Sequence, residues 1–306
     1  MIIEKVITME RVNLNKNVSV SRIVQGLWRL TDWNWTIDET VKFIESCIAL
    51  GVTTFDAAEI YGNYMGELRI GEVLRAAPHL RDQIEIVTKT GINMFSDKRS
   101  YTMSHYDTRK LKVVTSCQEA IKRMNCDVID VFLIHREDPL IDHRELGKTL
   151  DELVDSGWVK AVGVSNFDPM KFDALQSFMK HKLVTNQIEW SPVCFEHFNN
   201  GNMDFLQKMN VRPMIWSPLA GGRLFTTSDE KNVRARKKID EIARRHGVES
   251  ETIVFAWLLY HPVGALPISG SSKLKRLQQA IAGLNIALTH EEWFEIYTAS
   301  GQQRLR

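Results

Sequence analysis

The chain has 306 residues, is 44% hydrophobic and 25% charged, and carries a formal net charge of +1. That is globular composition with enough length for a large core, and the near-neutral balance gives no global attraction to nucleic acid or an anionic membrane. Cys47, Cys117, Cys126 and Cys194 are scattered without a C-x-x-C spacing, which argues against a disulfide framework or zinc site and fits reduced thiols in the cytoplasm.

No leading segment resembles a signal peptide, and no apolar run approaches the ~20 residues of a membrane span. Residues 1–20 alternate weakly around Asn13-Leu14-Asn15-Lys16-Asn17 and predict a small hairpin. A strand–helix rhythm then begins. Arg22–Gln25 predicts a strand ending at Gly26. Thr36 and Glu39 form a capping-box pattern ahead of Val41, Ile44 and Ile48 on one helical face. Gly51 stops that helix, Val52–Phe55 predicts the second strand, and Gly66–Ala76 predicts a helix stopped near Pro78. Ile84–Lys89 is the third strand, and Val114, Cys117, Ile121 and Met124 mark a helix ending near Asn125.

Val128–Ile134 is an apolar strand ending at His135, followed by a helix over Leu146–Ser156. Ala161–Ser165 is the fifth strand, and Pro169 opens the next helix at its first turn. Strands over Thr185–Trp190, Arg212–Trp216 and Gly264–Ile268 follow, with helices at Met203–Met209, Val233–His246, Ser250–His261 and Lys273–Ile281. An amphipathic helix over Glu291–Ser300 comes last.

Eight short strands, apolar on both faces and alternating with helices, predict an α/β fold: a (β/α)₈ TIM barrel over residues 1–306 as one domain, with an N-terminal β-hairpin and an extra C-terminal helix. The rival doubly wound sheet lacks its G-x-G-x-x-G after the first strand. In a barrel, chemistry gathers where strands end. Asp56 and Tyr61 leave strand two, Lys89 ends strand three and His135 ends strand four. A free phenol, with a pKa of ~10, is a poor acid at neutral pH. A nearby ammonium favours the phenolate, a carboxylate keeps a buried ammonium charged, and an imidazole can donate to a carbonyl oxygen. The set suits protonation of a developing alkoxide.

Asp56, Tyr61, Lys89 and His135, in F-D-A-A-E-I-Y-G, V-T-K-T-G and F-L-I-H, resemble the aldo-keto reductases. G-V-S-N-F, N-Q-I-E-W-S-P, W-S-P-L-A-G-G-R-L and P-I-S-G-S-S-K-x-x-R-L extend the resemblance in order over nearly the whole chain, which looks most like the bacterial YdhF-like oxidoreductases. The resemblance implies reduction of aldehydes or ketones with NADPH. Tyr61 would be the proton donor, Lys89 and Asp56 its tuning pair, and His135 the carbonyl-orienting group.

It further implies that Ser165, Asn166 and Gln187 hold the nicotinamide carboxamide and that Trp216 stacks on the nicotinamide. The loop Ser217-Pro218-Leu219-Ala220-Gly221-Gly222-Arg223 would wrap the pyrophosphate. Ser271, Ser272, Lys273 and Arg276 would bind the 2′-phosphate, and Gln279 the adenine. The preference for NADPH over NADH rests mainly on Lys273 and Arg276, in a segment without a carboxylate.

Plainer readings stand beside these. Lys89 alone reads as a solvated strand end, Tyr61 as a packed aromatic and His135 as a satisfied core imidazole. Trp28, Trp33 and Trp35 read as loop packing or as a substrate wall, with Trp28 placed first in the wall. Glu59 reads as structural. The remaining histidines lack ligand spacing, so no metal is expected. The basic run Arg234–Lys238 with Arg244 and Arg245 reads as a solvated helix face rather than a nucleic-acid site. The expected partner is a small carbonyl compound, with no nucleic acid or membrane, for a monomer or small homo-oligomer. The long loop Gly91–Tyr106 is a candidate lid. Two alternatives remain open: an NADPH-binding regulatory or sensor protein on the same barrel, and a barrel enzyme using Lys89 as a Schiff base.

Overall fold

The computed structural model describes residues 9–302. Strands β1 (Arg11–Asn13) and β2 (Ser19–Ser21) form the expected antiparallel hairpin. Its turn is closed by Asn15, whose side-chain oxygen accepts from the backbone N–H groups of Asn17 and Val18, both at 2.8 Å. The first eight residues of the span predicted as a hairpin lie outside the described residues.

Eight parallel strands close into a barrel: β3 (Val24–Gly26), β4 (Thr54–Asp56), β5 (Glu85–Thr90), β8 (Ile129–Ile134), β9 (Val159–Ser165), β10 (Leu183–Glu189), β11 (Met214–Trp216) and β12 (Leu266–Ser269). Between β5 and β8 the chain forms a short antiparallel hairpin, β6 (Ile92–Asn93) and β7 (His105–Tyr106). The barrel order is that of the sequence, and β12 pairs with β3 to close the ring. Strand limits differ from the predicted ones by a few residues. The clearest case is β4, which starts and ends later than Val52–Phe55. Asp56 is therefore the strand's last residue, registered against Gly26 and Val87, and not the first residue of a loop.

Helices α1 (Ile37–Ala49), α3 (Gly66–Ala76), α4 (Lys110–Met124), α5 (His143–Asp155), α6 (Pro169–Gln176), α8 (Asn202–Met209), α10 (Glu230–His246), α11 (Ser250–Tyr260) and α12 (Leu274–Ala282) surround the sheet. Single turns α2 (Tyr61–Tyr64), α7 (Glu196–Asn199) and α9 (Arg223–Thr226) sit between them, and α13 (His290–Ala299) ends the fold. The Thr36–Glu39 capping box is present at α1, with the Thr36 N–H donating to Glu39 and the Glu39 N–H donating to Thr36.

Apolar side chains fall into two compartments. One fills the lumen, where Val24, Val87, Val131, Leu133, Met214 and Leu266 meet Val12, Val18 and Val20 of the hairpin. The hairpin is thus the plug at the strands' N-terminal end. The larger compartment lies between the barrel wall and the helices. Trp33 and Trp35 pack there with Phe43 at ring separations of 5.4 and 5.2 Å, so loop packing is their role. The basic face of α10 is tied to α13 by Lys238 and Arg245 to Glu295 and by His246 to Glu292. Trp257 of α11 and Trp293 of α13 stack at 5.1 Å, each indole donating at 3.1 Å to the other's backbone carbonyl.

Candidate active site

The C-terminal ends of the strands bring the four predicted side chains together. Lys89, on β5, is 1% exposed. Its Nζ lies 2.8 Å from Asp56 Oδ1 and 2.9 Å from Oδ2, and donates to the Ala57 carbonyl at 2.7 Å and to the Tyr61 hydroxyl at 3.1 Å. The Tyr61 ring meets the His135 ring edge-on at 5.9 Å.

The backbone explains why Tyr61 stands there. The chain leaving β4 stays hydrogen-bonded to β5: the Ala57 N–H donates to Val87 O and the Glu59 N–H to Lys89 O. Gly62, Asn63 and Tyr64 then adopt left-handed conformations, with φ of 58°, 52° and 67°. A side chain at Gly62 would meet Thr31 at 2.5 Å, so this turn needs glycine for space as well as for its φ. Tyr64 holds the turn to the β6–β7 excursion. Its hydroxyl accepts from the Met94 N–H and bonds the Met94 carbonyl, with the Arg99 guanidinium over its ring. The Gly91–Tyr106 span is therefore a docked hairpin rather than a structureless loop. Glu59 braces the same region structurally, accepting from Thr90 at 2.8 Å and pairing with Lys112 at 2.8 Å.

Electrostatics separate the roles of the four groups. Burial alone disfavours the Lys89 ammonium, but Asp56 and Tyr61 outweigh it and hold its pKa above the ordinary value. A Schiff-base role needs a neutral amine, so this lysine is poorly placed for it. Burial also raises the Tyr61 pKa; Lys89 pulls the other way and Asp56 adds to the rise. The expected lowering by the ammonium is thus present but smaller than the cost of desolvating the phenolate. The result is a protonated phenol poised beside a cation. His135 is held well below its ordinary value by burial first, then by Lys89 and Arg136, so its imidazole is neutral and able to donate one hydrogen bond.

Four of the predicted nucleotide residues are joined by hydrogen bonds. Ser165 Oγ donates to the Gln187 carbonyl at 2.8 Å, and the Asn166 amide nitrogen donates to Ser165 Oγ at 2.8 Å. Trp216 donates its indole N–H to Asn166 Oδ1 at 3.0 Å. Gln187 reaches across to Asp56, Nε2 to Oδ1 at 2.7 Å. After β11, Ser217 and Ala220 are left-handed non-glycine residues and Gly221 and Gly222 follow with φ of 65° and 96°. Such strain collects where a backbone must present its amides. Leu219 is half-buried in that loop, and Arg223 at its end lies 3.8 Å from Glu189. Ser271 and Ser272 are half-buried, and Lys273 and Arg276 are exposed at the start of α12. Gln279 on the same helix has a buried Oε1 without a hydrogen-bond partner.

A cavity of about 400 Å³ opens beside Trp216 and Asn166, lined also by Tyr106, Arg136, Glu137, Glu189, Glu196 and His197. Most of its charged walls escaped sequence reasoning. Arg136 had a signal, since it directly follows the strand-end histidine, and Glu189 ends β10. Glu196 and His197 had none, because the single turn α7 carries no periodicity. Trp28 stands 58% exposed with the Arg29 guanidinium 5.0 Å from its ring, and it is not among the residues lining the cavity. Among the described residues, no cluster of three or more His, Cys, Asp or Glu is arranged to hold a metal, and no helix is long and apolar enough to cross a membrane.

The sequence and the fold have counterparts among known proteins. The chain is 44% identical to a 6-dehydroglucose reductase of Agrobacterium fabrum, over 95% of this chain and 97% of that one. It is 41% identical to the oxidoreductase YdhF of Escherichia coli, over 92% and 93%. The fold superposes on the thermostable aldo-keto reductase Tm1743, solved with the inhibitor epalrestat, with a TM-score of 0.80 at 24% identity over 95% of this chain and all of that one. Residues 22–300 match the model of the aldo/keto reductase family. With an eight-stranded barrel, a lysine joining a carboxylate to a phenol at its mouth, and this match over most of its length, the chain is an oxidoreductase that belongs to the aldo/keto reductase family.

Proposed function

We propose that the chain reduces aldehydes or ketones to alcohols with NADPH, Tyr61 giving the proton. The observation that carries this reading is the Lys89 ammonium, hydrogen-bonded to the Tyr61 hydroxyl at 3.1 Å and ion-paired with Asp56. The ammonium stabilises the phenolate left when Tyr61 protonates an alkoxide, and Asp56 keeps that ammonium charged through the cycle. Neutral His135 donates to the carbonyl oxygen and fixes it near the Tyr61 hydroxyl.

The residues present fit the cofactor. Gln279 holds a buried oxygen ready for a donor such as an adenine amine. Space is open beside the Gly222 backbone. Ser271, Ser272, Lys273 and Arg276 supply hydroxyls and cations for a 2′-phosphate, which favours NADPH over NADH. Ser165, Asn166 and Gln187 would hold the carboxamide against the Trp216 ring, and Ser217, Leu219, Gly221, Gly222 and Arg223 would surround the pyrophosphate. NADPH, when bound, supplies the hydride.

The polar walls of the cavity, with Arg136, Glu137 and Glu189, suit a substrate carrying several hydroxyl groups. The name of the 44%-identical relative supports a sugar aldehyde as the first compound to try. The test is a carbonyl panel that includes 6-aldehydo sugars, read as loss of NADPH absorbance. Tyr61→Phe should bind NADPH normally and lose roughly 10²–10⁴-fold in turnover, the usual contribution of a positioned general acid. Full activity of that variant would refute the assignment.

A further inference from the structure

We infer that Gln187 is a positioning residue for Asp56, and that it sets the acidity of Tyr61 through that carboxylate. The inference rests on the proposed reading of Tyr61 as the acid.

The barrel topology makes the contact informative. Strands β4 and β10 are four places apart in either direction round the closed eight-strand ring. Asp56 and Gln187 therefore come from opposite walls. Their side chains nonetheless meet, Gln187 Nε2 to Asp56 Oδ1 at 2.7 Å. Both residues are nearly sealed from solvent, at 3% and 2% exposure. The same Nε2 lies 3.8 Å from the Met214 sulfur on β11. The amide is thus oriented by two strands, with its nitrogen committed to the carboxylate.

Oδ1 is shared. It is 2.8 Å from Lys89 Nζ and 2.7 Å from Gln187 Nε2. A donor on Oδ1 stabilises the carboxylate's negative charge and weakens its neutralising grip on the ammonium. More of the ammonium's field then reaches the Tyr61 hydroxyl. The charged or titratable groups facing that hydroxyl are Lys89, Asp56, His135 and Arg136. His135 is neutral, and Arg136 is a fixed cation. Asp56 is the group among them whose influence Gln187 can adjust. The amide carbonyl of Gln187 is left for the carboxamide, so docking there would polarise the amide and strengthen its bond to Asp56. Cofactor seating and acid strength would then be linked through one side chain.

The experiment compares wild type, Gln187→Met and Gln187→Glu with the same substitutions in an Asp56→Asn background. The readouts are tyrosinate absorbance of cofactor-free protein, with each Tyr61→Phe counterpart as reference, and the high-pH limb of kcat/KM for carbonyl reduction. Methionine fills the same volume without the donor, and the Tyr61 midpoint should rise by about 0.5–1 pH unit in both readouts. Glutamate adds negative charge beside Asp56 and should raise it further. In Asp56→Asn, Gln187→Met should produce no added shift, the signature of action through the carboxylate. An unchanged Tyr61 midpoint in folded Gln187→Met, with only weaker NADPH binding, would reduce Gln187 to a cofactor contact and overturn the inference. So would a full shift that persists without Asp56. Should Gln187→Met not fold, the glutamate variant decides: a midpoint that stays or falls overturns the inference. The cofactor-free titration separates this from the wider reading, since a rise of the Tyr61 midpoint there supports the link even when no carbonyl compound is turned over.

Discussion

Trp216 donates its indole N–H to Asn166 Oδ1 at 3.0 Å, and that bond decides which way the Asn166 amide faces. With the oxygen taken, the amide nitrogen points at Ser165 Oγ and the His135 carbonyl. The aromatic platform and the predicted carboxamide-binding group are thus held as one unit. Trp216→Phe keeps an aromatic face and removes the donor. The expected outcome is about 5–10-fold weaker NADPH binding, from the loss of a net ~1 kcal/mol hydrogen bond, with a smaller change in kcat. Cofactor titration by fluorescence or calorimetry checks it.

Lys89 is expected to be as necessary for stability as for turnover. Lys89→Met would leave the Asp56 carboxyl without its cation in a site closed to water. Breaking a buried pair from one side costs about 3–5 kcal/mol. Denaturant unfolding should therefore show a large loss for Lys89→Met and a smaller one for Lys89→Met/Asp56→Asn, where the stranded carboxyl is gone. Both variants should lose turnover by at least ~10²-fold.

Acid should weaken the fold through its histidines. His135, His197 and His261 all have folded pKa values below the ordinary one, in each case with burial as the largest cause. The unfolded chain takes up protons as pH drops through ~6.5 while the folded chain does not, so stability is full above that value and falls below it. Denaturation midpoints measured at pH 7.5 and 5.5 should differ, and His135→Asn should shrink the difference.

Helices α3 and α4 are expected to tolerate no side chain at Gly71. A Cβ there would lie 1.9 Å from the Arg123 carbonyl oxygen, a backbone atom that cannot turn aside. Gly71→Ala should cost about 1–3 kcal/mol or more. Gly270 has open space around it, and Gly270→Ala should leave thermal stability within ~0.5 kcal/mol of wild type.

Much of this was legible in the residues. Period and punctuation located each of the eight barrel strands, because a strand covered on both faces must be apolar and brief. Asp56, Lys89 and His135 were found since each lies at or beside the end of such a strand. Strand limits were blurrier: Val52 is apolar and buried, yet it lies before the ladder begins at Thr54. Trp33 and Trp35 were ambiguous between packing and binding, and only their contact with Phe43 separates the two. The net rise in the Tyr61 pKa was hidden, because it depends on how completely the loops seal the phenol. The link between Asp56 and Gln187 was equally invisible: 131 residues separate them, and no local pattern says which walls of a closed ring face each other.

The clasp between Trp257 and Trp293 has a spectroscopic consequence. Their rings lie 5.1 Å apart and within 10° of parallel, and their indole N–H groups are mutually anchored. Indoles packed this closely in a fixed orientation should give a near-UV circular dichroism signal that is lost when α13 peels away. Trp216, at the barrel mouth, should instead respond by quenching as ligand fills the site. One protein would then carry two separable optical signals, one for detachment of its last helix and one for occupancy of its mouth.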